Sequence, residues 1–152
     1  MTVRRPARRA GSRRAGGKVC ALIEERGIPT IYGNYDYAIA RDLEDCGCAY
    51  VDPHDRAIGQ LSVDWTLAHT NERSKRLMHE LPFDLRFELG GKRVRLVHGS
   101  PRKVNEYLFE DKPARTFERI AALADCDVLV FGHTHSRGCT STAASCSGGL
   151  TL

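Results

Sequence analysis

The 152-residue chain lacks any apolar run near the roughly 18 residues of a membrane span, so an integral membrane protein is not expected. It also lacks an apolar signal-peptide core near Met1, and the default expectation is a cytoplasmic protein. Its cysteines, Cys20, Cys46, Cys48, Cys126, Cys139 and Cys146, form no C-x-x-C pair and no zinc-ribbon spacing. The single Cys-x-Cys at 46–48 carries no argument by itself. Reduced, mostly inert thiols in a reducing compartment are expected. Between Met1 and Gly33 there is no Asp and no His, so the first fifth of the chain offers neither of these metal ligands.

What is present suits one soluble domain: 41% hydrophobic and 28% charged residues in 16.9 kDa. The net charge of +4 is unevenly spread. Residues 1–18 hold six Arg and one Lys with no acid, while the remainder holds 16 basic and 19 acidic residues. This Arg-rich leader, MTVRRPARRAGSRRAGGK, has almost nothing to bury and is expected to be disordered. A nucleic-acid-binding arm, an organelle transit peptide and an unselected leader compete as its reading. No aromatic residue is interleaved for base stacking, which counts against nucleic acid as a partner.

The body alternates helix and strand. Helices are expected over Val19–Arg26, Asp55–Ala68, Asn71–Glu80 and Pro113–Ala124. In the second, Ile58, Leu61, Trp65 and Ala68 make an apolar stripe read as core packing; in the last, Phe117, Ile120, Leu123 and Ala124 face inward. Ile28–Tyr32 is a short β-prone run. Phe83–Leu89 alternates strictly and is followed by Gly90-Gly91, so Lys92–Val97 should return as the second arm of a hairpin. Val128–Phe131 is a continuous apolar strand of the kind covered on both faces. Residues 136–152 are rich in Ser, Thr, Gly, Cys and Ala, show no period and read as an irregular tail.

Three apolar runs end alike: IPTIY enters Gly33-Asn34-Tyr35-Asp36, VRLV enters His98-Gly99-Ser100-Pro101, and VLVF enters Gly132-His133-Thr134-His135. Layered α/β folds bind ligands beyond the carboxyl ends of strands. Asn and His are neutral donors suited to a divalent transition metal. Each motif alone has a plainer explanation: a turn for GNYD, a hydrogen-bonded strand-end histidine for His98, a surface loop for GHTH. Their joint occurrence in this order is what points to a site. His54, His69 and His79 lie in helical or loop contexts and read as surface residues, and Asp52, Asp55 and Asp64 as capping or solvated ones.

The order GNYD, HGSP, GHTH resembles the calcineurin-like metallophosphoesterase superfamily, most closely its small bacterial and archaeal phosphodiesterases and phosphatases. The resemblance covers about Val19 to His135 and implies an α/β fold, a four-layer α/β/β/α sandwich incomplete at its N-terminal edge and after the last motif. It implies a two-metal site with Mn2+ the first expectation and Fe, Zn or Ni as alternatives. By this resemblance Asn34, His98 and His133 ligate the second metal, and Asn34 also touches the substrate phosphate. His135 ligates the first metal, and Asp36 supports the Asn motif. Asn34 and His98 are the residues on which catalysis would depend.

Two departures matter. Tyr35 stands where many relatives carry a His that protonates the leaving group. The family's opening Asp-x-His and Gly-Asp motifs, which hold the first metal and bridge the pair, have no counterpart before Asn34. A truncated or frame-disrupted copy with foreign sequence at both ends is the simplest account. The expectation is therefore a phosphoesterase domain over 19–135 with a disordered 1–18 and an irregular 136–152. It keeps one weak metal site or none and has little turnover on a small phosphoester. The alternatives are an inactive remnant with one metal site, or nucleic-acid binding through the leader.

Overall fold

The computed structural model describes residues 15–136, 138–142 and 145–151. Residues 1–14, and with them most of the expected leader, lie outside the described residues. Ala15–Lys18 belong instead to the first helix, α1 (Ala15–Arg26). It is followed by α2 (Asn34–Ala40), α3 (Pro53–His69), α4 (Glu72–Glu80), β1 (Asp84–Leu89), β2 (Lys92–Val97), α5 (Ala114–Ala124), β3 (Val128–Phe131), β4 (Cys139–Thr142) and β5 (Ser145–Thr151). The strands form one sheet in the order β1-β2-β3-β5-β4.

Local chemistry sets the helix limits. Asp52 caps α3 by accepting from the His54 and Asp55 amides, with Pro53 at the first helical position. Asn71 caps α4 by accepting from Ser74 N–H. The expected hairpin is present: Asp84 pairs with Val97 and Leu89 with Lys92, and both Gly90 and Gly91 take positive φ at the turn.

β2 and β3 run parallel, with Val97 opposite Phe131, so His98 and His133 leave neighbouring strand ends. Beneath them Val97, Leu108, Phe117, Ile120, Ala124, Cys126, Leu129 and Phe131 form the sheet-side core. Arg95 is buried in it. Its Nε bonds Asp84 at 2.6 Å, and its Nη1 donates to the Leu123 and Ala124 carbonyls at the end of α5. One buried guanidinium thus satisfies orphan carbonyls that the helix cannot bond itself. A second core joins the helices: Ala38, Ile39, Cys46, Val63 and Met78.

Four expectations need correction. Ile28–Tyr32 is not a strand. Pro29 lacks a ladder donor, and the run is tied at its two ends, by Ile28 N–H to the Ile23 carbonyl at 3.0 Å and Tyr32 N–H to the Pro82 carbonyl at 3.1 Å. The stretch 136–152 is not irregular throughout. β5 pairs parallel with β3 (Val128 with Gly148, Phe131 with Thr151) and antiparallel with β4. Backbone ladders need no apolar period, which is why small polar residues concealed them. The stripe Ile58, Leu61, Trp65 on α3 is exposed, and that helix buries Gly59 and Val63 instead. In α5, Leu123 is exposed while Phe117, Ile120 and Ala124 are buried.

Candidate metal centre

Asn34 opens α2 and is buried against the helical core. Its Nδ2 donates to the Cys46 carbonyl at 3.0 Å and to Cys48 Sγ at 3.2 Å. Two acceptors on the Nδ2 side turn Oδ1 the other way, where it meets His98 Nε2 at 2.9 Å. The preceding Gly33 lets the imidazole come close: a Cβ there would sit 3.0 Å from His98 Cε1. Asp36 accepts from Gly33 N–H at 2.8 Å and so fixes the turn into α2.

His98 sits at the end of β2. The loop after it is tied by internal bonds. Ser100 is fully buried, and its Oγ accepts from the Arg102 and Lys103 amides, each at 3.1 Å. A Cβ on Gly99 would run into the Val104 carbonyl oxygen at 2.5 Å. The end of β3 is joined to this loop through Gly132 N–H to the His98 carbonyl, 2.8 Å.

Beyond Gly132 the chain turns sharply, with His133 at φ +68° and His135 at φ +56°. Left-handed backbone at two non-glycine residues stores strain of a kind that clusters at functional sites. The turn sends His133 inward, its Nδ1 3.1 Å from His98 Nε2. The Tyr107 ring covers it at a centroid distance of 4.0 Å. His133 Nε2 is buried with no hydrogen-bond partner. Burial, then the neighbouring His98 and His135, holds His133 down at about 4, and burial also lowers His98. Both imidazoles are therefore neutral at pH 7, the protonation state a metal requires.

Asn34, His98 and His133 are thus brought together. His135 is exposed on the rim of the same open cavity, about 610 Å³, and does not join the donor cluster. Among the described residues, no three His, Cys, Asp or Glu side chains converge as a metal cluster. Tyr35 lines the cavity with its hydroxyl 3.5 Å from the Gly59 carbonyl, and burial raises its pKa. His54 and His79 are exposed, while His69 stacks on Trp65, and none of the three lines this cavity. Sequence reasoning missed Cys48, Tyr50 and Tyr107, which line the cavity too. A tyrosine nine residues beyond His98 carries no motif signal, and Cys48 had only its Cys-x-Cys spacing.

The donor set fits a divalent cation: an amide oxygen and two neutral imidazoles, with Asn34 Oδ1 and His133 Nδ1 at 2.9 and 3.1 Å from His98 Nε2. The chain belongs to the calcineurin-like phosphoesterase superfamily, whose domain model matches residues 14–150. It is similar in structure to a hypothetical protein of Pyrococcus horikoshii OT3, with TM-score 0.66 and 17% identity over 90% of this chain and 56% of that one. It is also similar to a metallophosphoesterase from Sphaerobacter thermophilus, with TM-score 0.54 and 19% identity over 88% of this chain and 58% of that one. The chain therefore spans just over half the length of these structures, which share its mixed α/β fold. The comparison with curated proteins finds no match. Among the described residues, no helix is long and apolar enough to cross a membrane.

Proposed function

We propose that this chain is a cytoplasmic, metal-dependent phosphoesterase domain that holds one divalent ion, Mn2+ first, through Asn34, His98 and His133, and turns over small phosphoesters weakly. One observation carries the reading: Asn34 Oδ1, His98 Nε2 and His133 Nδ1 stand in a chain of 2.9 and 3.1 Å contacts where the start of α2 meets the ends of two adjacent strands. When bound, a divalent cation would polarise phosphate oxygens and lower the pKa of a water. The protein's part is positional. The Ser100 turn holds His98, the strained backbone aims His133, and the Cys46–Cys48 loop fixes which end of the Asn34 amide meets His98. Asn34 is the residue placed to meet the substrate phosphate, and His135 on the rim is a donor toward a second ion.

Weak turnover follows from the donor set. An all-neutral site offsets little of the charge of a cation pair, and no bridging carboxylate is present among the described donors. The test is Mn2+ titration by calorimetry, run beside hydrolysis of bis(4-nitrophenyl) phosphate. We expect one site per chain, abolished in His98→Ala, with slow Mn2+-dependent cleavage lost in the same variant. Binding without cleavage would favour the inactive one-metal alternative. No binding by a folded chain would overturn the metal centre, and two tight ions per chain would overturn the one-metal reading.

A further inference from the structure

The site cavity borders a pair of sulfurs that metal binding does not use. Cys46 and Cys48 flank Gly47 in the loop between α2 and α3, with their Sγ atoms 3.0 Å apart. Gly47 takes φ +69°, and the Asn105 amide lies where a Cβ would go, so only glycine fits this turn. The loop is held from both sides: Asn105 Nδ2 donates to the Gly47 carbonyl at 3.0 Å, and the Asp45 carboxylate accepts from Gly47 N–H at 2.8 Å. Cys46 is buried. Cys48 is half-buried and lines both the site cavity and a second open one of about 420 Å³ beside Tyr50, Arg56 and Gln60. Cys48 Sγ accepts from both the Cys46 thiol and Asn34 Nδ2.

We propose that Cys46 and Cys48 form a reversible dithiol–disulfide site, oxidised by a small-molecule disulfide, that sets the orientation of the Asn34 amide. Cys48, the reachable sulfur, attacks the reagent. The reagent's S–S bond breaks, a mixed disulfide forms and one small thiol leaves. Cys46 Sγ then attacks Cys48 Sγ, forming the intramolecular bond and releasing the second thiol. The two cysteine protons end on the two released thiols, and the two electrons lost by the cysteines reduce the reagent. Bond formation contracts the sulfur separation to about 2.05 Å and draws Cys48 off the Asn34 amide. Asn34 then loses one of its two Nδ2 acceptors. The consequence for metal affinity rests on the reading of Asn34 as a ligand; the thiol chemistry does not.

The test equilibrates the full chain in glutathione buffers of increasing oxidised fraction, blocks free thiols with N-ethylmaleimide and maps the peptides by mass. We expect the peptide carrying residues 46–48 to lose two hydrogens and escape blocking. Cys46→Ser should instead accumulate a glutathione adduct at Cys48, and Cys48→Ser should form neither product. The Asn34 side-chain amide resonance should shift on oxidation of the wild type and return with dithiothreitol. The Kd for Mn2+ should rise about 10–100-fold on oxidation, the usual cost of losing a partner behind a metal ligand. No 46–48 disulfide in the most oxidising buffer, pairing of either residue with a different cysteine, or a disulfide that leaves the Asn34 resonance unmoved would each overturn the proposal. Absence of Mn2+ binding by the reduced chain would defeat the metal reading alone, since the mass and amide readouts judge the dithiol independently.

Discussion

Helices α3 and α5 both carry apolar stripes at helical spacing, and only one stripe is covered. On α5, Phe117 and Ile120 lie 7% and 2% exposed and pack with Val97, Leu129 and Phe131 of the sheet. On α3, Leu61 and Trp65 stand 68% and 57% exposed, and the helix is attached along the narrow row Gly59–Val63. Gly59 lies so close to the Tyr50 ring that a Cβ would collide with it, and Val63 packs with Ile39 and Met78. A helical period therefore marks a helix without deciding which face meets a partner. α5 has a sheet face to cover. α3 has two short helices and a loop, and small residues bring it nearest to them.

The largest effect expected from this contrast is in α5. Phe117→Ala removes a large side chain from the sheet-side core and should cost about 3–5 kcal/mol in denaturant unfolding of the metal-free chain. A loss below about 1 kcal/mol would mean that the α5 core is not a continuous packed layer.

The next effect separates the site from both cores. His133 titrates near 4 when folded and near about 6.5 when unfolded. The unfolded state binds the proton more readily, so this histidine's contribution is fully present above pH 6.5 and is lost as pH falls toward 4. His98 shifts in the same direction. In the presence of a chelator, stability should fall by up to about 3 kcal/mol across that window, and His133→Gln should flatten most of the slope. An unchanged slope in His133→Gln would place the titrating group elsewhere.

How much was legible follows from the same physics. The β1–β2 hairpin could be read because strict alternation and Gly90-Gly91 agree with one another. His98 and His133 could be read because both follow apolar runs that pair in parallel. α2 was not legible: seven residues, NYDYAIA, are too few to show a period. β4 and β5 were hidden because Ser, Thr and Gly leave no apolar alternation, only backbone bonds. The approach of Cys46 to Cys48 depends on the left-handed turn at Gly47 and on Asn105, 58 residues away, and no local pattern announces that contact.

The smallest effect is the most discriminating for α3. Trp65 stacks on His69 one turn along the same helix, with centroids 4.2 Å apart and planes 12° from parallel. That contact is local and survives whatever α3 packs against. Trp65→Ala and Leu61→Ala should therefore change unfolding free energy by no more than about 0.5 kcal/mol, as surface substitutions do. Val63→Ala on the attached row of the same helix should cost several times more, because Val63 is 1% exposed. If Trp65→Ala cost as much as Phe117→Ala, the stripe would be covered in solution, and the difference between the two helices would be one of partner and not of burial. A small Trp65 effect beside a large Val63 effect would leave α3 as a helix whose sequence period faces water and whose attachment runs through Gly59 and Val63.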